Sequence, residues 1–301
     1  MKNFLFLCTT LCLIFSGITQ TTAQDSTTRP PPAVLLIERE EIKPGKMPAH
    51  TQEARGFLDV MSRANSRLGD KMRDGRLAMT PIAGNQNEVA YIWPYDSFED
   101  MESKRKETDK LATGAMKVDF DQLPDAELHA SQRSIIASYR PDYSYNPGRM
   151  NVAQARYMAM TTLRIKPGHA SEYWDMVKRI VNPARDKAQL KASFAVYQVR
   201  AGMMDGFYLI FRPMKSLAEL DFPLTAVRDA MGKEGREDAD KVADRAVLLG
   251  ETVYYAFNPQ LSLVGPEFAA ADPAFWNQKP AMTVTTAMPR RRQSARRSGP
   301  Q

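Results

Sequence analysis

The stretch Ile42-Lys43-Pro44-Gly45 and its echo Ile165-Lys166-Pro167-Gly168 decide how this chain is read, because the same punctuation stands twice, 123 residues apart. Each copy closes an apolar, strand-like run (residues 33–41 and 156–164) and opens a stretch of helical periodicity. Proline cannot donate to a ladder and glycine permits the turn, so both mark a strand handing over to a helix. A spacing of that size is too long for a solenoid repeat and fits a small domain, which implies a tandem duplication.

Working outward, Ala54, Phe57, Leu58, Met61 and Leu68 recur at helical spacing after the first motif, as do Tyr173, Trp174, Val177, Ile180, Val181, Ala184 and Ala188 after the second. Hairpin-like pairs follow at 77–82 with 88–95 and at 193–199 with 207–211, joined by loops containing Gly84-Asn85 and Gly202. Ser97 and Ser216 are placed to cap the next helices. A short helix is expected at 124–132 and a last helix around 239–247, before closing strands at 134–139 and 252–257. Each copy then reads strand, helix, strand, strand, helix, short helix, strand. The expected fold class is α+β, two tandem ferredoxin-like units forming an intramolecular pseudo-dimer. The boundaries are a signal peptide at 1–23, a Pro-rich linker at 24–32, the two units at 33–148 and 149–265, and an extension with a basic, disordered tail at 266–301.

The opening residues carry Lys2, an apolar run from Phe4 to Ile18 and the small-residue ending Thr21-Thr22-Ala23, the pattern of a secretory signal cut after Ala23. Export to the periplasm or beyond is therefore expected. Both cysteines, Cys8 and Cys12, fall inside that segment, so a mature chain has no disulfide, thiolate metal site or cysteine nucleophile. The formal charge of +6 is matched by Lys2 and five tail arginines, Arg290, Arg291, Arg292, Arg296 and Arg297. The basic balance belongs to the ends, so no nucleic acid is expected across the fold, and the tail offers only weak contact with an anionic surface.

Motifs for common chemistries are missing: the sequence has no Gly-x-Ser-x-Gly, no phosphate-cradling glycine loop, and no His-x3-His among His50, His129 and His169. No metal and no cofactor is expected. What remains are aromatic and methionine residues on strands, suited to an apolar cavity with a few polar tips. The candidate ligand-binding residues are Trp93, Arg212, Tyr208, Met79, Met160 and Tyr254, with Arg212 available for a ligand carboxylate. His50, Trp93 and Tyr91 are the candidates for catalysis.

The two Lys-Pro-Gly turns, with Tyr91-Ile92-Trp93 and Tyr208-Leu209-Ile210-Phe211 before the Ser97-Phe98 and Ser216-Leu217 helix starts, resemble the dimeric α/β-barrel superfamily, its NIPSNAP-like and antibiotic-biosynthesis-monooxygenase-like members in particular. The resemblance covers residues 33–265. It implies a barrel with ligand pockets between helices and sheet, in a group that includes cofactor-free oxygenases and haem-degrading enzymes. Trp93 matches a tryptophan of the haem-degrading members, but their iron-ligating histidine has no counterpart at 100–106 or 219–224. The expected function is binding of a small, largely apolar or aromatic molecule, by a monomeric pseudo-dimer or a homodimer. The alternatives are a cofactor-independent monooxygenase or isomerase acting on an aromatic substrate, and a non-catalytic scaffold.

Overall fold

The computed structural model describes residues 30–68, 75–114, 116–117 and 126–278. The expected signal peptide, linker residues 24–29 and the basic tail from 279 lie outside the described residues. Among the described residues there are eight strands: β1 (Val34–Ile42), β2 (Leu77–Pro81), β3 (Glu88–Tyr95), β4 (His129–Tyr139), β5 (Tyr157–Ile165), β6 (Ala195–Ala201), β7 (Phe207–Met214) and β8 (Val247–Phe257). They form one closed antiparallel barrel in the order β1-β3-β2-β8-β5-β7-β6-β4.

This corrects the expectation of two tandem ferredoxin-like units. β4 pairs with β6 (Ala137 opposite Val199) and β2 with β8 (Met79 opposite Phe257), so the sheet runs on through both junctions and leaves no edge to cover. The core is shared to match. Leu35, Ile37, Met79, Ile92, Ile135 and Ala137 pack inside the barrel with Met158, Met160, Tyr197, Leu209, Phe211 and Tyr255. Alternation along each strand sends these residues inward and their neighbours outward, toward the helices.

The Lys-Pro-Gly turns behave as their chemistry requires, since Gly45 and Gly168 adopt φ values of 79° and 84°, the left-handed region that disfavours a side chain. After the first, α1 (Met47–Leu68) lies on the outer face of β2 and β3, with Met47 and Ala54 against Ala78, Val89 and Tyr91. Ser97 caps α2 (Phe98–Thr113) by accepting from the Asp100 amide at 2.9 Å. After the second turn, α3 (Ala170–Met176) passes through a wide π turn at Val177–Val181 into α4 (Asn182–Lys187). α5 (Leu224–Ala246), broken in direction at Gly232 (φ 72°), packs with α3 on the outer face of β5, β6 and β7.

Two sequence expectations shift at the closing strands. The helix expected at 124–132 is a single turn at Ala126–Leu128, and β4 begins at His129 because β1 pairs with it along its whole length. The helix expected around 239–247 starts much earlier, at Leu224, and gives way to β8 at Val247, which pairs with Ile165. Ser216 caps only a short turn, Leu217–Asp221. Beyond β8, α6 (Pro266–Ala270) and α7 (Pro273–Trp276) fold back over one barrel mouth, where Trp276 Nε1 donates to the Ala153 carbonyl at 2.7 Å.

Candidate functional site

Alternation along β1 places Glu38 and Glu40 on the outer face, beneath α1. The ladder sets Glu38 opposite Tyr91 and Leu36 opposite Trp93. A helix covering a sheet normally buries an apolar layer; here it buries ionisable groups, which costs free energy unless each is paired.

Glu38 accepts from Trp93 Nε1 at 2.7 Å. Glu40 Oε2 sits 2.9 Å from Nε2 of His50, on the first turns of α1, and 3.4 Å from Nε2 of His129, at the start of β4. The two imidazole rings stand edge to face with centroids 5.5 Å apart. Arg76, just before β2, is buried and lays its guanidinium 4.1 Å from the Tyr91 ring centroid, 4.7 Å from Phe57 and 5.6 Å from Trp93. Polar positions in this layer that are buried without a hydrogen-bond partner include His50 Nδ1, His129 Nε2, the Tyr91 hydroxyl, and Nε and Nη2 of Arg76.

Their partners separate the two carboxyl groups. Burial pushes Glu38 up, aided by the Glu40 charge and opposed by the Trp93 hydrogen bond and Arg76. Burial acts on Glu40 in the same sense, but the His50 hydrogen bond and the charges of His50, His129 and Arg76 outweigh it and hold this group low. Burial also raises Tyr91 and lowers Arg76. The layer therefore holds an acid inclined to keep its proton beside one inclined to lose it, the separation used in acid–base catalysis.

A second feature lies inside the barrel. A cavity of about 350 Å³ opens at one mouth, lined by Leu35, Ile92, Met150, Met158, Tyr197 and Phe211 and flanked by Pro30–Pro32 and Phe268. Its polar lining residues are Asp96 and Tyr197, whose hydroxyl donates to the Pro32 carbonyl at 3.0 Å. Toward the other end the interior turns polar: Arg39 makes a two-pronged contact with Glu88 at 3.0 and 2.7 Å, and the Tyr255 hydroxyl donates to the same carboxylate at 2.9 Å.

The residues singled out from sequence divide among these places. His50, Tyr91 and Trp93 meet in the layer under α1. Met79 and Met160 are inside the barrel, Tyr208 is under the helices of the opposite half, and Arg212 donates to the Glu219 carbonyl at 3.0 Å. Tyr254, on β8, neighbours the fully buried Tyr255 in sequence and is itself only partly buried. The six candidate ligand-binding residues thus do not converge on one site. Glu38, Glu40 and Arg76 were not foreseen; the signal for the first two was a pair of carboxylates at the same strand parity in Leu36-Ile37-Glu38-Arg39-Glu40. His129 gains its meaning only from Glu40.

The fold and site define an eight-stranded antiparallel barrel clothed in helices, with a charged layer beneath one of them. No protein-family profile matches the chain, and no curated protein does. Among solved structures it is similar to a candidate monooxygenase from Fusobacterium nucleatum subsp. nucleatum, at 13% identity and TM-score 0.45, covering 75% of this chain and 93% of that one. An anthrone oxidase-like protein matches at 13% identity and TM-score 0.44 over 75% and 91% of the two chains. Chlorite dismutase from Candidatus Nitrospira defluvii, in complex with imidazole, matches at 8% identity and TM-score 0.44 over 76% and 92%.

Proposed function

We propose that the protein binds a small, largely apolar or aromatic molecule in the cavity at the barrel mouth. The observation that carries this reading is the cavity itself: about 350 Å³ of space with largely apolar walls that also include Asp96 and the buried Tyr197. That volume is at the small end of ordinary ligand sites, roughly 300–1,000 Å³. The site differs in place from the pocket between helices and sheet that sequence resemblance implied. Native mass spectrometry of protein purified from its own host tests it, together with Ala195→Phe, which fills the cavity from a buried wall position. The expected result is a co-purifying small molecule that Ala195→Phe reduces at least about tenfold; a ligand unaffected by the filled cavity would sink the reading.

A second reading, a monooxygenase or isomerase working on an aromatic substrate without a cofactor, is favoured by the meeting of His50, Tyr91 and Trp93 in the charged layer. Glu40 orients His50 as a base for a phenolic or activated C–H proton, and Tyr91 and Arg76 hold spare donors for the resulting anion. Such a carbanion or phenolate can itself pass electrons to dioxygen. Glu40→Gln is expected to lower turnover of a polyhydroxylated aromatic at least about hundredfold; unchanged turnover would remove the dyad from the chemistry. Haem suits this donor set poorly, since α2 carries no histidine and His50 and His129 both turn toward Glu40.

Export is proposed on the first 23 residues, and N-terminal sequencing of the mature protein would then begin at Gln24. The arginine tail is proposed as a weak contact for anionic surfaces.

A further inference from the structure

We propose that Glu40, His50 and His129 form a binding site for a divalent first-row transition metal ion. The three side chains come from β1, α1 and the first residue of β4, and their donor atoms all lie within 4.8 Å of one another. The spacing is that of a coordination shell. Metal bonds of about 2.1 Å to nitrogen and oxygen put neighbouring donors about 3.0 Å apart at a right angle and about 3.4 Å apart at a tetrahedral one. Nε2 of His50 and Nε2 of His129 stand 2.9 and 3.4 Å from the same Glu40 oxygen.

Hydrogen bonding alone leaves this arrangement incomplete. Glu40 Oε2 is engaged by His50, and Nε2 of His129, buried 3.4 Å from that oxygen, makes no hydrogen bond. Buried nitrogens are rarely left so. A cation among the three groups engages both imidazoles and the carboxylate together. Two imidazoles and one carboxylate select transition ions over magnesium or calcium, which take oxygen donors. Three protein donors also leave coordination positions for water or a substrate oxygen, and the unpartnered Tyr91 hydroxyl belongs to a ring 6.4 Å from that of His50. Gln132 steadies the carboxylate from outside by donating to Glu40 Oε1 at 3.2 Å.

The site is independent of the barrel-mouth cavity, and it replaces the cofactor-free use of His50 if occupied. The test is a titration of chelator-stripped full-length protein with Co²⁺ and Zn²⁺, followed by visible absorption and calorimetry. One equivalent is expected to bind, with cobalt d–d bands. His129→Ala and Glu40→Gln are expected to weaken binding at least about tenfold, while His169→Ala leaves it unchanged. His50 is almost fully buried and its loss endangers folding, so His129, near the barrel end, is the decisive position, with His129→Gln and circular dichroism as the check on fold. Absence of stoichiometric binding to the wild type, or binding that folded His129 variants retain in full, would overturn the proposal. Turnover by metal-free protein at the wild-type rate would assign the cluster to proton transfer instead.

Discussion

The barrel carries two helix-covered layers, one on each half, and they solve the same packing problem with opposite chemistry. Counting back seven and five residues from Gly45 gives Glu38 and Glu40, and from Gly168 gives Thr161 and Leu163. Five residues after the glycines stand His50 and Tyr173. Across the ladder, Trp93 faces Leu36 where Arg212 faces Ala159. In the second half Trp174 stacks on Tyr143 with centroids 4.6 Å apart and meets Tyr208 edge to face at 5.2 Å. That layer is aromatic core. The first layer buries two carboxylates, a guanidinium and two imidazoles in the equivalent place, an arrangement that an apolar layer would surpass in stability. The second half is covered chiefly by aromatic packing, with the Arg185 and Arg212 guanidiniums over the Phe194 ring, so the half that also buries carboxylates and imidazoles is where function is to be sought.

The largest effect should come from the aromatic side. Trp174 is 2% exposed, and Trp174→Ala should cost about 3–5 kcal/mol by lost transfer energy and an unfilled cavity, measured by urea unfolding. A loss below about 1 kcal/mol would show that this layer is not core and would erase the contrast.

Next come the two carboxylates, whose substitution effects should differ in sign. Glu40 has a folded pKa below its unfolded one, so its contribution is complete above about pH 4.5 and falls away as pH drops through the folded value. Glu40→Gln should cost about 2 kcal/mol near neutral pH, and the deficit should shrink in acid. Glu38 has a folded pKa above its unfolded one. Its contribution is complete below the unfolded value and is lost as pH rises through the folded one. Glu38→Gln keeps an acceptor for Trp93 and removes the charge, so it should stabilise by about 0.5–1 kcal/mol at pH 7 and by less in acid. Unfolding midpoints of both variants at two pH values decide this; equal and pH-independent effects would mean the layer is not electrostatically divided.

Much of this architecture was legible in the chain because local chemistry set it. The Lys-Pro-Gly turns, the strands that they end and the Ser97 cap are short-range features, and they stand where the sequence placed them. What joined the halves was not local: the pairings of Ala137 with Val199 and Met79 with Phe257 have no signature in the residues themselves, so two units were read where one barrel exists. The site followed the same division. His50, Tyr91 and Trp93 stood out by type, whereas Glu40 and His129 meet only because β1 and β4 pair as far as Ile42 and His129. Met79 and Met160 illustrate a missed use of parity, since alternation alone would have turned both into the barrel.

The smallest effect tests the position in the second half that corresponds to Trp93. Arg212 was singled out as a hold for a ligand carboxylate, but its Nη2 donates to the Glu219 carbonyl at 3.0 Å and its guanidinium lies 5.9 Å from the Phe194 ring centroid. These contacts tie the end of β7 to the turn at Leu217–Asp221, and Arg212 is not among the residues lining the mouth cavity. Arg212→Ala should therefore cost about 1 kcal/mol through the lost charge-assisted hydrogen bond. Affinity for the mouth ligand should change by less than about twofold, a difference of roughly 0.4 kcal/mol. A tenfold loss of affinity with stability intact would instead make Arg212 a ligand contact, and would move the functional centre to the half of the barrel that its aromatic packing marks as structural.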